Sequence, residues 1–366
     1  MESVYCKLFN EYSTVEAGGG LRPLAVAPAR FSFSWRDAKR MRILVTGATG
    51  FLGNNLIRAI LANGDEVVAA VRSSSDRDPL RGLDVEVVVV DFEKSADISF
   101  AINDVDAVVH AAAMIQLGWS KLEVSRQVNV GYTKRIAEAA RRKNIRMIYV
   151  SSVDALGVGN ADKLGDESKL DPPNPGCSYV VSKREAETEF LIEVANGLDG
   201  VIVNPGFMIG PNDWKPSSGE MMIFLQKSLI FFVPAGGCSV VDVRDVADGI
   251  ISAIQHGRSG ERYILAGENL TYKELWKQMA SVMNSMPPRR RMSNLLASTV
   301  GKVGDFLSRF TKEELVVNSA ATRMGQLYHW YSSDKAKQEL GYQISSVEDA
   351  ISDAYDWFCS MGYIKK

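Results

Sequence analysis

The feature that most constrains this chain is a run of three glycines, Gly47, Gly50 and Gly53, spaced three apart directly after the apolar stretch Ile43, Leu44 and Val45. A helix is expected next, over residues 54–63, with Leu56, Ile57, Ile60 and Leu61 on its apolar side. A buried strand, a glycine turn and a helix in that order make a phosphate cradle. Gly47 permits the tight turn, Gly50 lets backbone approach a pyrophosphate, and Gly53 lets the helix pack close to the strand. The helix start adds unpaired N–H groups and the positive end of its dipole. The alternative is a glycine turn with no ligand, and the flanking strand and helix argue against it. The pattern therefore predicts dinucleotide binding, although its G-x-x-G-x-x-G spacing is one residue longer than the common one.

Residues 66–71 form a second expected strand, and Arg72 ends it, 25 residues after Gly47. In such folds the residue at this place meets the adenosine ribose. An acid accepts from the 2′-hydroxyl of NAD, whereas an arginine favours the 2′-phosphate of NADP. Arg72 points to NADP(H), with NAD(H) the second choice. Residues 85–90 read as a third strand, apolar enough to be covered on both faces. Asp91 and Phe92 follow at its carboxyl end. Either Asp91 accepts from an adenine amino group and Phe92 flanks the ring, or the pair is a plain strand-end turn with Phe92 in the core. Residues 106–113 are a fourth strand and its exit, where the small Ala111, Ala112 and Ala113 allow backbone to approach the cofactor. His110, alone at this strand end, reads as structural.

Residues 124–142 have helical spacing and contain Asn129; a fifth strand over 146–150 ends in Ser151 and Ser152. Tyr179 and Lys183 then open a further helix. Four residues of separation put the phenol and the ammonium on one helix face. A phenol with a pKa near 10 exchanges protons poorly at neutral pH, and an adjacent ammonium is expected to lower that pKa. Lys183 is also placed to hold a nicotinamide ribose, and a serine hydroxyl from the neighbouring strand end to orient a substrate oxygen. A Tyr-x-x-x-Lys pair alone is a weak signal. After a glycine loop, five strand-like segments and a Ser-Ser strand end, it is a strong one.

The remainder sets bounds. A net charge of −2 carries no nucleic-acid footprint. Cys6, Cys177, Cys238 and Cys359 have neither metal-ligand nor redox spacing, so no metal is expected, and a reducing, cytoplasmic setting is. No apolar stretch is long enough for a membrane span. Residues 1–40 are loop-like and end in a basic cluster, which predicts a disordered extension; an organelle-targeting segment is the alternative. Residues 295–310 space Leu296, Val300, Val303, Leu307 and Phe310 helically after the basic Arg289, Arg290 and Arg291. A cap helix packed on the substrate domain is expected there, and a membrane-surface helix is the rival.

Thr46 to Gly53, His110-Ala111-Ala112, Ser151-Ser152, Tyr179 to Lys183, Asn204-Pro205-Gly206 and the stretch Asp242 to Ala247 together resemble the extended (atypical) short-chain dehydrogenase/reductase superfamily, over about residues 41–365. Val71-Arg72, Thr46 to Gly53 and the stretch Tyr179 to Lys183 look most like its dihydroflavonol-4-reductase-like branch. The stretch Glu261 to Thr271 also resembles hopanoid-associated sugar epimerases. The resemblance implies an α/β fold, a Rossmann-type doubly wound parallel sheet with a smaller, mostly helical C-terminal substrate-binding lobe. The domain layout would be 41–215 for dinucleotide binding with 239–265 returning to it, and 216–238 with 266–366 for the lobe. It implies Tyr179 as general acid/base, Lys183 as its pKa partner and ribose ligand, Ser152 as the carbonyl-orienting hydroxyl, and Asn129 in a water relay. Cofactor contacts would come from Gly47, Thr49, Gly50, Phe51, Leu52, Gly53, Arg72, Asp91, Phe92, Ala111, Ala112, Ala113, Tyr179, Lys183 and Pro205.

The expected activity is NADP(H)-dependent reduction of a ketone or aldehyde on a bulky, weakly polar small molecule. Met114, Ile115, Trp119, Val153, Asp154, Phe207, Met208 and Trp214 are the pocket candidates. The alternative is an NAD-dependent epimerase or dehydratase acting on a nucleotide sugar. Two departures weaken it: Leu156 stands where many such enzymes keep a tyrosine, and Arg72 where many keep an acid. A non-enzymatic binding protein is the third reading, and such a protein has no chemical need of Ser152, Tyr179 and Lys183 together. A homodimer is the ordinary prior for such a chain.

Overall fold

A computed structural model describes residues 40–168, 176–227, 231–311 and 314–365. The expected disordered extension therefore lies, Arg40 apart, outside the described residues. The first half alternates strand and helix: β1 (Arg42–Thr46), α1 (Phe51–Ala62), β2 (Glu66–Val71), β3 (Glu86–Val89), α2 (Ser95–Ala101), β4 (Ala107–His110) and α3 (Leu122–Ser125). A π-helical turn, Arg126–Gly131, leads into α4 (Tyr132–Arg142), then β5 (Arg146–Val150), α5 (Ser178–Ala195) and β6 (Gly200–Pro205). The second half is more broken: β7 (Phe207–Ile209), α6 (Glu220–Gln226), β8 (Phe232–Val233), β9 (Gly237–Asp242), α7 (Val243–His256), β10 (Arg262–Leu265) and β11 (Glu268–Thr271). It continues with α8 (Tyr272–Val282), β12 (Arg290–Arg291), α9 (Asn294–Ser308), α10 (Ser319–Met324), β13 (Tyr328–His329), α11 (Asp334–Leu340) and α12 (Val347–Ser360).

Seven strands form one parallel sheet in the order β10-β6-β5-β4-β1-β2-β3. Alternate residues of β1 point to opposite faces. Ile43 and Val45 join a core with Leu56, Ile57 and Ile60 of α1 and Val246 and Ile250 of α7. Leu44 joins the other core, with Ile136 and Ala140 of α4 and Phe190 of α5. This is the doubly wound α/β sheet expected, and its strand order reverses between β1 and β4, the switch point where ligands bind in open sheets. A smaller sheet, in which β9 pairs with β7, β11 and β13, carries a third core with Met222, Leu275, Ile351 and Phe358.

Three expectations change here. The third strand is not covered on both faces: β3 is the sheet edge, and Val87 and Val89 are 38% and 49% exposed. An apolar run looks the same in sequence whether its neighbour is a strand or solvent. Residues 239–265 divide between layers, because β9 belongs to the small sheet while α7 and β10 pack in the large one. Conversely, Ala336 and Leu340 of α11 join the first core although they lie far down the chain. The third change concerns α9. Its packed face is the small-residue row Ala297, Gly301 and Gly304, whereas Val303, Leu307 and Phe310 are exposed. Gly301 lets α9 approach α10 so closely that a Cβ there would lie 2.7 Å from the Ser319 Cα.

Candidate active site

The glycine turn sits at the switch point. Gly47 has φ +72°, a left-handed conformation that favours glycine, and a Cβ on it would lie 2.7 Å from the Ala112 N. The exit of β4 therefore packs against the turn. A Cβ on Gly53 would overlap the Gly47 carbonyl oxygen, which already accepts from the Gly50 N at 2.9 Å. Gly50 is the N-cap of α1, and no side chain caps that helix. A Cβ on Gly50 would touch only the Gly47 O. An uncapped helix start on a bare glycine turn fits a phosphate-bearing group.

The base of the cradle is a buried polar chain. The Thr133 hydroxyl donates to the Asn129 O at 2.6 Å and so accepts from His110 Nε2 at 3.1 Å. This leaves His110 Nδ1 to accept from Thr46 Oγ1 at 2.7 Å, and Thr46 Oγ1 in turn accepts from the Ala112 N at 3.2 Å. Burial, with the nearby Lys183 charge, pulls the His110 pKa down to about 3. His110 is thus a neutral tie between β4, β1 and α4.

Asn129 lies buried in the π-helical turn. Its Oδ1 accepts from the Met114 N at 2.7 Å, and its Nδ2 donates to the Met114 O at 2.9 Å and to Ser182 Oγ at 2.8 Å. These bonds make it a positioning residue for the loop after β4 and for α5. That loop in turn starts α5, because the Ser178 N donates to the Gly118 O and the Tyr179 N to the Gln116 O.

Ser152, Tyr179 and Lys183 come together at the carboxyl end of β5, all buried. Burial pushes the Tyr179 phenol above its ordinary value and the Asp154 carboxylate adds to this, while a hydrogen bond with Ser152 opposes them. Lys183 Nζ donates to the Val150 O at 2.8 Å and lies 5.0 Å from the Tyr149 ring centre. Burial pulls its pKa down to about 7, and Glu187 opposes that shift. The expectation that the ammonium lowers the phenol pKa is therefore corrected. Burial is the largest cause, the Asp154 charge adds to it, and both favour the neutral phenol.

Residues beyond this trio hold the group. Asn204 Nδ2 donates to the Ser152 O and to Glu187 Oε1, both at 2.8 Å, and Arg262 Nε donates to Glu187 Oε2 at 2.9 Å. Arg184 bonds the Ala155 and Leu156 carbonyls. Asp154 faces Ser152 Oγ at 3.5 Å and His329 Nδ1 at 3.3 Å. Burial opposes charge on His329, but Asp154 outweighs it and raises the imidazole pKa. Asn204 and Asp154 were visible in the sequence as a motif residue and a pocket candidate, and Glu187 continues the four-residue spacing of Tyr179 and Lys183 along α5. The others depend on contacts between distant segments.

Arg72 is exposed at the end of β2, in a turn where the Ser75 N donates to the Arg72 O. Asp91 is exposed and ion-paired with Lys94 at 3.2 Å. Phe92 is 6% exposed, in the second core, with its ring 5.6 Å from that of Tyr132, so it does not flank a cofactor ring. Val153 is likewise core, packed with Leu156, Ile264 and Tyr331. Trp214 meets Trp357 edge-on at 5.8 Å, and its carbonyl accepts from Tyr363. Met114 and Trp119 lie on the loop after β4, with Ile115 and Trp119 65% and 44% exposed; Phe207 and Met208 are half-buried on β7. Among the described residues no group of three or more His, Cys, Asp or Glu could hold a metal ion, and no helix is long and apolar enough to cross a membrane.

A Rossmann-type sheet with a glycine cradle at its switch point and a Ser–Tyr–Lys group at a neighbouring strand end defines an NAD(P)-dependent enzyme of oxidoreductase type. The chain belongs to the NAD-dependent epimerase/dehydratase family, whose model matches residues 43–266. It is 35% identical over 329 residues to a candidate dihydroflavonol 4-reductase of Synechocystis sp., covering 88% of this chain and 95% of that protein. It is 32% identical to sterol demethylase protein B of Methylococcus capsulatus, covering 88% and 100%. The crystal structure of a nucleoside-diphosphate-sugar epimerase from Pseudomonas aeruginosa superimposes with a TM-score of 0.75 at 27% identity, covering 89% of this chain and all of that one.

Proposed function

We propose that the protein is an NADP(H)-dependent reductase of a ketone or aldehyde on a bulky, weakly polar small molecule. The observation that carries this reading is Tyr179, buried beside Ser152 at the strand end with its phenol pKa raised by that burial, and Lys183 one helical turn on. Phosphates would lie on the Gly47–Gly53 turn and the start of α1, and the exposed Arg72 would take a 2′-phosphate. The bound nicotinamide supplies the hydride. Ser152 Oγ orients the substrate oxygen, and Tyr179 donates its proton to that oxygen as negative charge develops on it. Lys183, titrating near neutrality, then balances the phenolate that remains. The exposed Ile115 and Trp119, with Met114, Phe207 and Met208, favour an apolar substrate. The likeness to a candidate dihydroflavonol 4-reductase supports reduction as the direction.

Tyr179→Phe should lower turnover by about 10²–10⁴-fold while NADPH still binds. Normal turnover would remove the assignment. A titration of NADPH against NADH, repeated with Arg72→Asp, tests the cofactor. Tighter NADPH binding that the substitution abolishes supports the reading, and equal affinities in the unsubstituted protein refute it.

One observation favours a nucleotide-sugar epimerase or dehydratase instead: Asp154 places a second proton-transfer group beside Ser152. That reading expects a dinucleotide to co-purify with the protein and no net consumption of NADPH.

A further inference from the structure

We propose that one face of the C-terminal lobe, built by α9 and the Arg289–Arg291 run, docks on an anionic lipid surface. At 3.6 residues per turn, Leu295, Val303, Phe306 and Leu307 fall on one arc of α9, opposite the packed Ala297, Gly301 and Gly304, and Phe310 follows in the turn just past its end. All five are exposed, Leu295 and Phe310 by 80% and 77%. A helix whose large side chains face solvent while its small ones pack inward has the reverse of the usual polarity. Phe231 and Met286, on segments flanking the β8–β12 pair, are 69% and 77% exposed. Large exposed apolar patches mark interaction sites.

Charge selects the occupant. Residues 283–311 hold five cations, Arg289, Arg290, Arg291, Lys302 and Arg309, against one acid, Asp305. Asp305 is engaged inside the lobe, where its Oδ1 accepts from the Ser319 N at 3.0 Å. Lys302 and Arg309 are exposed at the edge of the apolar arc, and Arg289 to Arg291 lead into it through Ser293, whose hydroxyl caps α9. Apolar side chains flanked by cations match an interface of acyl chains beneath anionic headgroups. A second copy fits less well, because a two-fold contact would set this basic patch against itself. The α9 arc is about 22 Å long, so it suits a helix lying in the interface plane rather than crossing it.

The experiment is co-sedimentation of the full chain with vesicles of mixed phosphatidylglycerol and phosphatidylcholine, and with phosphatidylcholine alone. It needs neither cofactor nor turnover, so its outcome is independent of the reductase reading. The protein should sediment with the anionic vesicles, and added salt should release it. Leu307→Asp/Phe310→Asp and Arg289→Glu/Arg290→Glu should each weaken partitioning by at least about tenfold. These side chains are exposed, so the variants should melt at the wild-type temperature. Failure of the wild type to sediment, or equal binding by both variants, overturns the proposal. A wild-type dimer that Leu307→Asp/Phe310→Asp dissolves, without vesicle binding, assigns the face to a second copy and also overturns it.

Discussion

The two sides of the candidate active site are built differently. The cofactor side is nearly contiguous, since Gly47 to Gly53 and the start of α1 supply its turn, its close approach and its free amides. The substrate side is assembled from distant segments. Ser152 is held through Asn204, Glu187 and Arg262, while the loop after β4 is held by Asn129 on one side and Glu314 on the other. A contiguous device fails through backbone geometry. A dispersed one fails through the loss of any single buried partner, and its failure spreads to the others.

Glu187→Leu should give the largest effect. It removes the partner of Arg262 and of Asn204 and should cost about 3–5 kcal/mol in chemical unfolding, with slower turnover in what remains folded. A loss below 1 kcal/mol would show that the substrate side is less interdependent than its contacts suggest. Gly53→Ala comes next. Its methyl group overlaps the Gly47 carbonyl, so a cost of about 1–3 kcal/mol and a larger loss of dinucleotide affinity are expected. Unchanged affinity would detach the cofactor side from its glycine geometry.

The His110 tie sharpens the comparison through pH. Its folded pKa is lowered to about 3, so between that value and 6.5 the unfolded chain binds the extra proton and folding weakens as pH falls. About 2 kcal/mol should be lost between pH 6.5 and 5. His110→Gln should flatten that slope in melts across the same range. Glu314→Gln is the smallest. It leaves the Ser120 and Trp119 amides with a neutral acceptor, so a stability change under about 1 kcal/mol is expected, with a raised KM and little change in kcat.

This contrast also explains what was legible in the sequence. Glycine spacing, strand ends and the four-residue separation of Tyr179 and Lys183 are local, and each maps onto one element. The edge position of β3 is not local, since it depends on which strand arrives beside it. Phe92 was ambiguous, and Val153 was read as a pocket residue, for the same reason: a strand-end apolar residue faces a ligand or a core according to distant packing. The raised pKa of Tyr179 depends on the depth of burial and on Asp154, neither of which helical spacing encodes. The orientation of α9 was set by glycines that admit α10, and counting only large side chains pointed the helix the wrong way.

Glu314 has a thermodynamic consequence. It follows α9 in the chain and bonds the backbone amides of Trp119 and Ser120 and the side chain of Gln116, on the loop that also begins α5. The groove between them is lined by Ser120, Lys121, Ser308 and Arg309. If docking of α9 changes substrate affinity through this tether by some factor, substrate must change docking by the same factor. A membrane would then act as an effector of the pocket, and the pocket as an effector of residence on the membrane, with one coupling constant measurable from either end.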